Sequence, residues 1–136
     1  MKRPILFGYQ LAIGLSDSST GALLIVVPAF TLRMMGLHVA ADALPYLSFI
    51  GSFVLAVGFC CLYGAYLAWC DACASKLRLL WLLTAILRSS VAIYLFMQVL
   101  SRTLETGWLT VAIFDGACAL IQANGLRKGW LVNAAK

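Results

Sequence analysis

Charge is the scarcest property of this sequence. Asp, Glu, Lys and Arg make up 11% of its 136 residues, and only five are acidic, whereas a soluble domain carries about 25% charged residues. So little polar surface cannot coat a water-soluble globule. There is one histidine, His38. A bis-His haem therefore has no ligand pair, and a four-ligand zinc set would have to bring His38 to cysteines predicted on the opposite side of a membrane. Dinucleotide- and phosphate-cradling glycine patterns, HExxH and EF-hand loops are missing. No metal, and no cofactor bound by the chain's own ligands, is expected. The net charge of +5 is not a nucleic-acid footprint, because the basic residues do not gather on one face with interleaved aromatics.

What the sequence does have is apolar residues, 63% of the total, in long blocks that ask for lipid as solvent. The reading is all-α: an integral membrane four-helix bundle forming one transmembrane domain over residues 1–136. Spans are expected at about 4–27, 46–69, 77–101 and 108–126, each near the roughly 20 residues that cross a ~30 Å hydrocarbon core. Pro4 suits a first helical turn, where its missing N–H costs nothing, and Pro28 marks the end of the first block. Between the first two spans, PAFTLRMMG predicts a short interfacial helix. Arg33 reaches water, Met34 and Met35 lie in the boundary, and Gly36 closes it. Asp42 and Pro45 then set up the next helix start. The opening Met1-Lys2-Arg3 reads as the flank of a retained helix and not of a signal peptide. Gln10 and the polar run Ser16 to Thr20 interrupt the apolar block, and no small-residue cleavage site follows it.

Basic residues orient the bundle. Lys2, Arg3, Lys76, Arg78, Arg127, Lys128 and Lys136 fall on one side, Arg33 and Arg102 on the other. The positive-inside rule then places both termini in the cytoplasm.

Three charges fall near the middle of the spans: Asp17, Arg88 and Asp115. Each costs about 2.5–3.5 kcal/mol to insert at the bilayer centre, so such groups are rare and usually paired. At 1.5 Å per residue, Asp17 lies ~20 Å and Arg88 ~17 Å from the cytoplasmic starts of their spans, and Asp115 ~11 Å from the outer start of its own. All three come out near one level. Their faces agree too. Gln10, Gly14, Asp17, Ser18 and Gly21 form one helical stripe, Thr84, Ala85, Arg88, Ser89 and Ala92 a second, and Ala112, Asp115, Ala119 and Gln122 a third. The polar lining of such a site would be Gln10, Ser18, Thr84, Ser89 and Gln122. Two readings stand side by side. In one, an Arg–Asp network fixes helix register. In the other, the surplus carboxylate serves as a proton acceptor, a cation site or an anchor for a polar headgroup. The hydroxyls of Ser16 to Thr20 could line that site or simply bond back to helix carbonyls.

Small residues recur at every fourth position of the second span: Ser48, Ser52, Ala56, Cys60, Gly64 and Ala68. This small-xxx-small ridge is expected to be a helix-packing face. Cys70-Asp71-Ala72-Cys73 is a CxxC, a potential redox pair of the kind DsbB-like and vitamin K epoxide reductase-like bundles use. Its expected cytoplasmic position argues against that role, since thiols are kept reduced there. Cys60 and Cys118 read as packing residues.

Gly21-x6-Pro28-x4-Arg33-x2-Gly36 at the end of the first helix, Arg88 mid-span three and Asp115 mid-span four together resemble small bacterial membrane proteins of the broad DoxX-like, four-helix kind. The resemblance implies the bacterial inner (plasma) membrane and a connection to quinone-linked oxidoreductases, and it carries no catalytic residue across. The leading expectation is a non-catalytic accessory subunit of a larger membrane complex, surrounded by membrane lipids and other membrane subunits. The alternative is a self-contained binder, transporter or enzyme for an amphipathic or quinone-like molecule at the Asp17–Arg88–Asp115 site, with lipid or quinone as its ligand.

Overall fold

Long apolar blocks bounded by proline and glycine fold here as long helices. The structure, a computed structural model, describes residues 3–70 and 74–133, and among these it is helical apart from turns and short irregular links such as residues 37–40. The elements are α1 (Arg3–Val26), α2 (Pro28–Met34), α3 (Leu44–Trp69), α4 (Ala74–Leu100), α5 (Leu109–Arg127) and α6 (Trp130–Asn133). Single 3₁₀ turns at Ala41–Ala43 and Thr106–Trp108 lead into α3 and α5. Three helical stretches are long and apolar enough to cross a membrane: Ala41–Trp69, Ala74–Leu100 and Thr106–Arg127. The first helix is long enough at 24 residues but is not among them. Gln10 and the polar run around Asp17 dilute it. The count of sufficiently apolar helices among the described residues is therefore three, where the sequence predicts four spans.

The pattern of exposure is inverted relative to a soluble protein. Only 28% of each apolar window is buried within the chain. Phe53, Phe59, Ile86, Ile93, Ile113 and Leu120 point outward, while Gln10, Asp17, Thr84, Arg88 and Gln122 are buried. Such a surface requires an apolar solvent, and the polar groups avoid it by facing inward. The structure thus supports a membrane protein.

The chain divides into two compact units, Phe7–Tyr66 and Met1–Leu6 with Leu67–Lys136. In the first, α1 and α3 run antiparallel along a glycine seam. A Cβ on Gly14 would lie 2.8 Å from the Leu62 nitrogen, one on Gly21 2.7 Å from Leu55 Cα, and one on Gly58 2.5 Å from the Ser18 nitrogen. A Cβ on Gly51 would meet Leu24 Cβ at 2.8 Å. The contacts recur every seven residues, at Gly14 and Gly21, Gly51 and Gly58, Leu55 and Leu62. That period keeps one seam between two helices.

This seam does not run along the expected small-residue ridge. Ser52, Ala56 and Cys60 are exposed, Ser48 is half-buried, and only Gly64 and Ala68 are buried. The reason is geometric. At 100° per residue, a strict every-fourth pattern turns by about 40° each step and by about 200° from Ser48 to Ala68, so it cannot stay against one neighbour. Cys60 is accordingly an outward residue and not a packing one, whereas Cys61 is 1% exposed.

The short α2 forms where PAFTLRMMG predicts a helix. Pro28 occupies its first turn, and it ends in a six-to-one bond from the Leu37 N–H to the Leu32 carbonyl at 2.9 Å. Gly36 takes the left-handed conformation this turn requires, φ 71°. Leu32 and Leu37 are both buried, while Arg33 and Met34 are exposed.

In the second unit, Arg3 ties the start of α1 to the end of α3. Its Nε donates to the Ala68 carbonyl at 2.8 Å, and its Nη2 donates to the Trp69 carbonyl. These are unsatisfied last-turn acceptors of a helix, where a cation also complements the dipole. The rest of this unit is the α4–α5 hairpin, closed by α6.

Candidate functional site

The α4–α5 hairpin carries three of the buried polar side chains, Thr84, Arg88 and Gln122. On α4, Leu77, Trp81, Thr84, Ala85, Arg88 and Leu95 are buried. On α5 the buried face is Ala112, Cys118, Ala119, Gln122 and Gly125. Both sets fall on one side of their helix at helical spacing, so each helix presents a single inward stripe. The helices run antiparallel, and their stripes meet in layers: Ala92 beside Gly116, Arg88 with Asp115, Thr84 with Gln122, Trp81 over Gly125.

The central layer is an ion pair. Arg88 Nη1 donates to Asp115 Oδ1, and the two side chains are 4% and 15% exposed. The Arg88 guanidinium also lies over the Phe114 ring, 5.7 Å from its centroid, a favourable cation–π arrangement. Arg88 sits close to the midpoint of its 27-residue helix. Neither end of that helix can be reached by its side chain, so its charge must be met within the span. Arginine does not give up its proton, and Asp115 supplies the matching negative charge.

One layer along, the Thr84 hydroxyl donates to the Leu80 carbonyl at 2.8 Å and accepts from Gln122 Nε2 at 3.1 Å. A hydroxyl can do both at once, and the helix thereby passes one of its own carbonyl bonds across to its neighbour. Gln122 is fully buried, and its Oε1 has no hydrogen-bond partner among the described residues. The next layer is steric. Trp81 is fully buried, and its ring lies where a Cβ on Gly125 would stand, with Trp130 Cε3 2.9 Å from the same point.

Of the sequence-predicted site, the structure joins Arg88 to Asp115 and Thr84 to Gln122. Ser89 is half-buried on α4 beside the pair. Gln10 and Asp17 are buried on α1, and Ser18 is half-buried, its Oγ without a hydrogen-bond partner among the described residues. All three belong to the first unit. Ser19 donates to the Ser16 carbonyl at 2.9 Å, as hydroxyls that bond back to their own helix do. Cys70 is an exposed free thiol, and Cys73 lies outside the described residues. No group of three or more His, Cys, Asp or Glu among the described residues could hold a metal ion.

Trp81, Gly51 and Gly58 carry much of the packing and were not singled out by the sequence. The signal was available. Trp81 stands seven residues before Arg88, on the same stripe, and Gly51 and Gly58 stand seven apart on a span otherwise read by fours.

No protein-family model, curated protein or solved structure matches this chain.

Proposed function

We propose that this chain is a small multi-pass membrane protein acting as a non-catalytic accessory subunit of a larger membrane complex. An electron-transfer or quinone-linked complex is the assignment that the DoxX-like resemblance implies. The observation that carries the reading is the Arg88–Asp115 pair. The two mid-helix charges satisfy each other between α4 and α5, which is what register-fixing requires. The broad outward apolar surface of α3, α4 and α5 leaves ample area for lipid and for neighbouring subunits.

The same proposal takes α1 as a fourth span and α2 as an interfacial helix, in a bacterial plasma membrane with both termini cytoplasmic. Two facts support it. α1 runs antiparallel along α3, itself apolar enough to span, from Gly14 to Leu24. Arg3 bonds to the last carbonyls of α3, in keeping with the N-terminus and the link after α3 sharing the more basic side.

One observation favours a second reading, a self-contained binder, transporter or enzyme for an amphipathic or quinone-like molecule. Gln122 Oε1 is buried without a partner among the described residues, and buried acceptors usually have one. Extraction in a gentle detergent, followed by a native gel and mass spectrometry, separates the two. The accessory reading expects the chain in a large assembly with other membrane subunits. A stable monomer or homodimer retaining a quinone would contradict it.

A further inference from the structure

Basic residues gather at the end of the hairpin where α4 starts and α5 finishes. A shallow recess there, open to the exterior, is lined by Arg78, Gly125, Leu126, Gly129 and Leu131. It is an open hollow and not an enclosed cavity, so it can meet the edge of a headgroup and cannot take in a whole substrate. Its lining is amphipathic, with one guanidinium, two leucines and two glycines. Gly129 adopts φ 62° with open space where a Cβ would stand, which keeps the mouth clear. Gly125 forms a floor backed by the Trp81 and Trp130 rings.

Among the described residues, the charges at this end are all positive. Arg78 and Arg127 make no hydrogen bond or ion pair with any described residue, and nor does Lys76. Lys128 lies over the Trp130 ring at 6.0 Å. The acidic residues described in this unit are Glu105, before the far end of α5, and Asp115, already engaged by Arg88. The excess of cations is therefore unneutralised by the described residues. Basic recesses between membrane helices on the more positive side are suited to anionic headgroups, and a tryptophan beside them sits naturally at headgroup level.

We infer that the Arg78 recess binds a phosphate-bearing anion, with Arg78 as the direct donor and Arg127 and Lys128 raising the local potential. The leucines of the lining favour an anionic phospholipid over free phosphate, since they offer apolar surface to glycerol and acyl carbons. The inference goes beyond the accessory-subunit reading but shares its premise that the chain lies in a bilayer.

The test uses the purified full chain in detergent. It is titrated separately with phosphatidylglycerol, with chain-matched phosphatidylcholine and with inorganic phosphate alone, and binding is followed by native mass spectrometry. Phosphatidylglycerol is expected to bind in preference to phosphatidylcholine. Arg78→Gln should weaken it by about fivefold, the effect of one basic residue near an anionic surface. Arg127→Gln should weaken it to a lesser degree, and Arg102→Gln, at the other end of α4, should leave it unchanged. Both Arg78 and Arg127 are exposed, so these variants keep the fold, which circular dichroism verifies. Equal binding of both lipids, or equal losses in Arg78→Gln and Arg102→Gln, would overturn the site. Arg78-dependent binding of inorganic phosphate as tight as that of the lipid would overturn the lipid as its source. Failure of the chain to float with liposomes would instead overturn the membrane premise.

Discussion

The Thr84 hydroxyl stands between two helices, donating to Leu80 of its own helix and accepting the Gln122 amide at 3.1 Å. Replacing it with the isosteric valine leaves buried amide hydrogens without an acceptor, at a cost of about 1–3 kcal/mol. Gln122→Leu deletes the same bond but also removes the partnerless Oε1. The account therefore predicts that Thr84→Val is the more destabilising of the two in detergent unfolding titrations. The reverse order would show that Gln122 makes a further bond that matters.

The glycine seam between α1 and α3 has its own prediction. A methyl at Gly21 or Gly58 meets backbone atoms, so Gly21→Ala and Gly58→Ala must push the helices apart, and overpacking of this kind costs about 1–3 kcal/mol. Ala56 points outward, and Ala56→Leu should shift stability by less than about 0.5 kcal/mol. Thermal unfolding of the three variants decides between this seam and the every-fourth ridge, which predicts the opposite ranking.

At the base of the hairpin, Gly125→Ala should drive the Trp81 ring from its buried position. Tryptophan emission then shifts to the red and stability falls by about 1–3 kcal/mol. An unchanged spectrum would mean that the two helices are free to separate at that end.

Arg102 is the one non-glycine residue with positive φ among those described, at 59°. It ends α4, with the Thr103 N–H bonded to the Gln98 carbonyl at 3.0 Å. A left-handed conformation costs a side-chain-bearing residue about 1–2 kcal/mol, part of which glycine recovers. Arg102→Gly should raise the melting temperature, and Arg102→Val should lower it.

Much of this was legible in the sequence, for identifiable reasons. Helix positions follow from apolar blocks punctuated by Pro28, Gly36 and Pro45, and α2 is readable from its own proline and glycine. The inward stripes of α4 and α5 follow from the rarity of polar groups. In an apolar chain, Thr84, Arg88, Asp115 and Gln122 mark the interior as leucines do in a soluble one. The α1–α3 seam was not read in the sequence because small residues are common in such a span and several spacings can be drawn through them. Only the seven-residue period through Gly51 and Gly58 stays on one side of the helix. The Trp81–Gly125 contact depends on complementary volumes from two helices, which no single-helix pattern encodes. Asp17 is buried as its stripe predicts, and its suggested company with Arg88 is a matter of depth that the sequence alone proposes.

The central claim is that Arg88 and Asp115 exist for each other, and a double-mutant cycle tests it most directly. Removing one partner leaves a buried charge and should cost about 3–5 kcal/mol, whereas removing both in favour of apolar residues is often neutral or stabilising. The account predicts that Arg88→Leu and Asp115→Leu each lower the unfolding free energy strongly and that Arg88→Leu/Asp115→Leu recovers most of the loss. Additive losses, with the double variant the least stable of the three, would contradict it and return the two charges to separate roles.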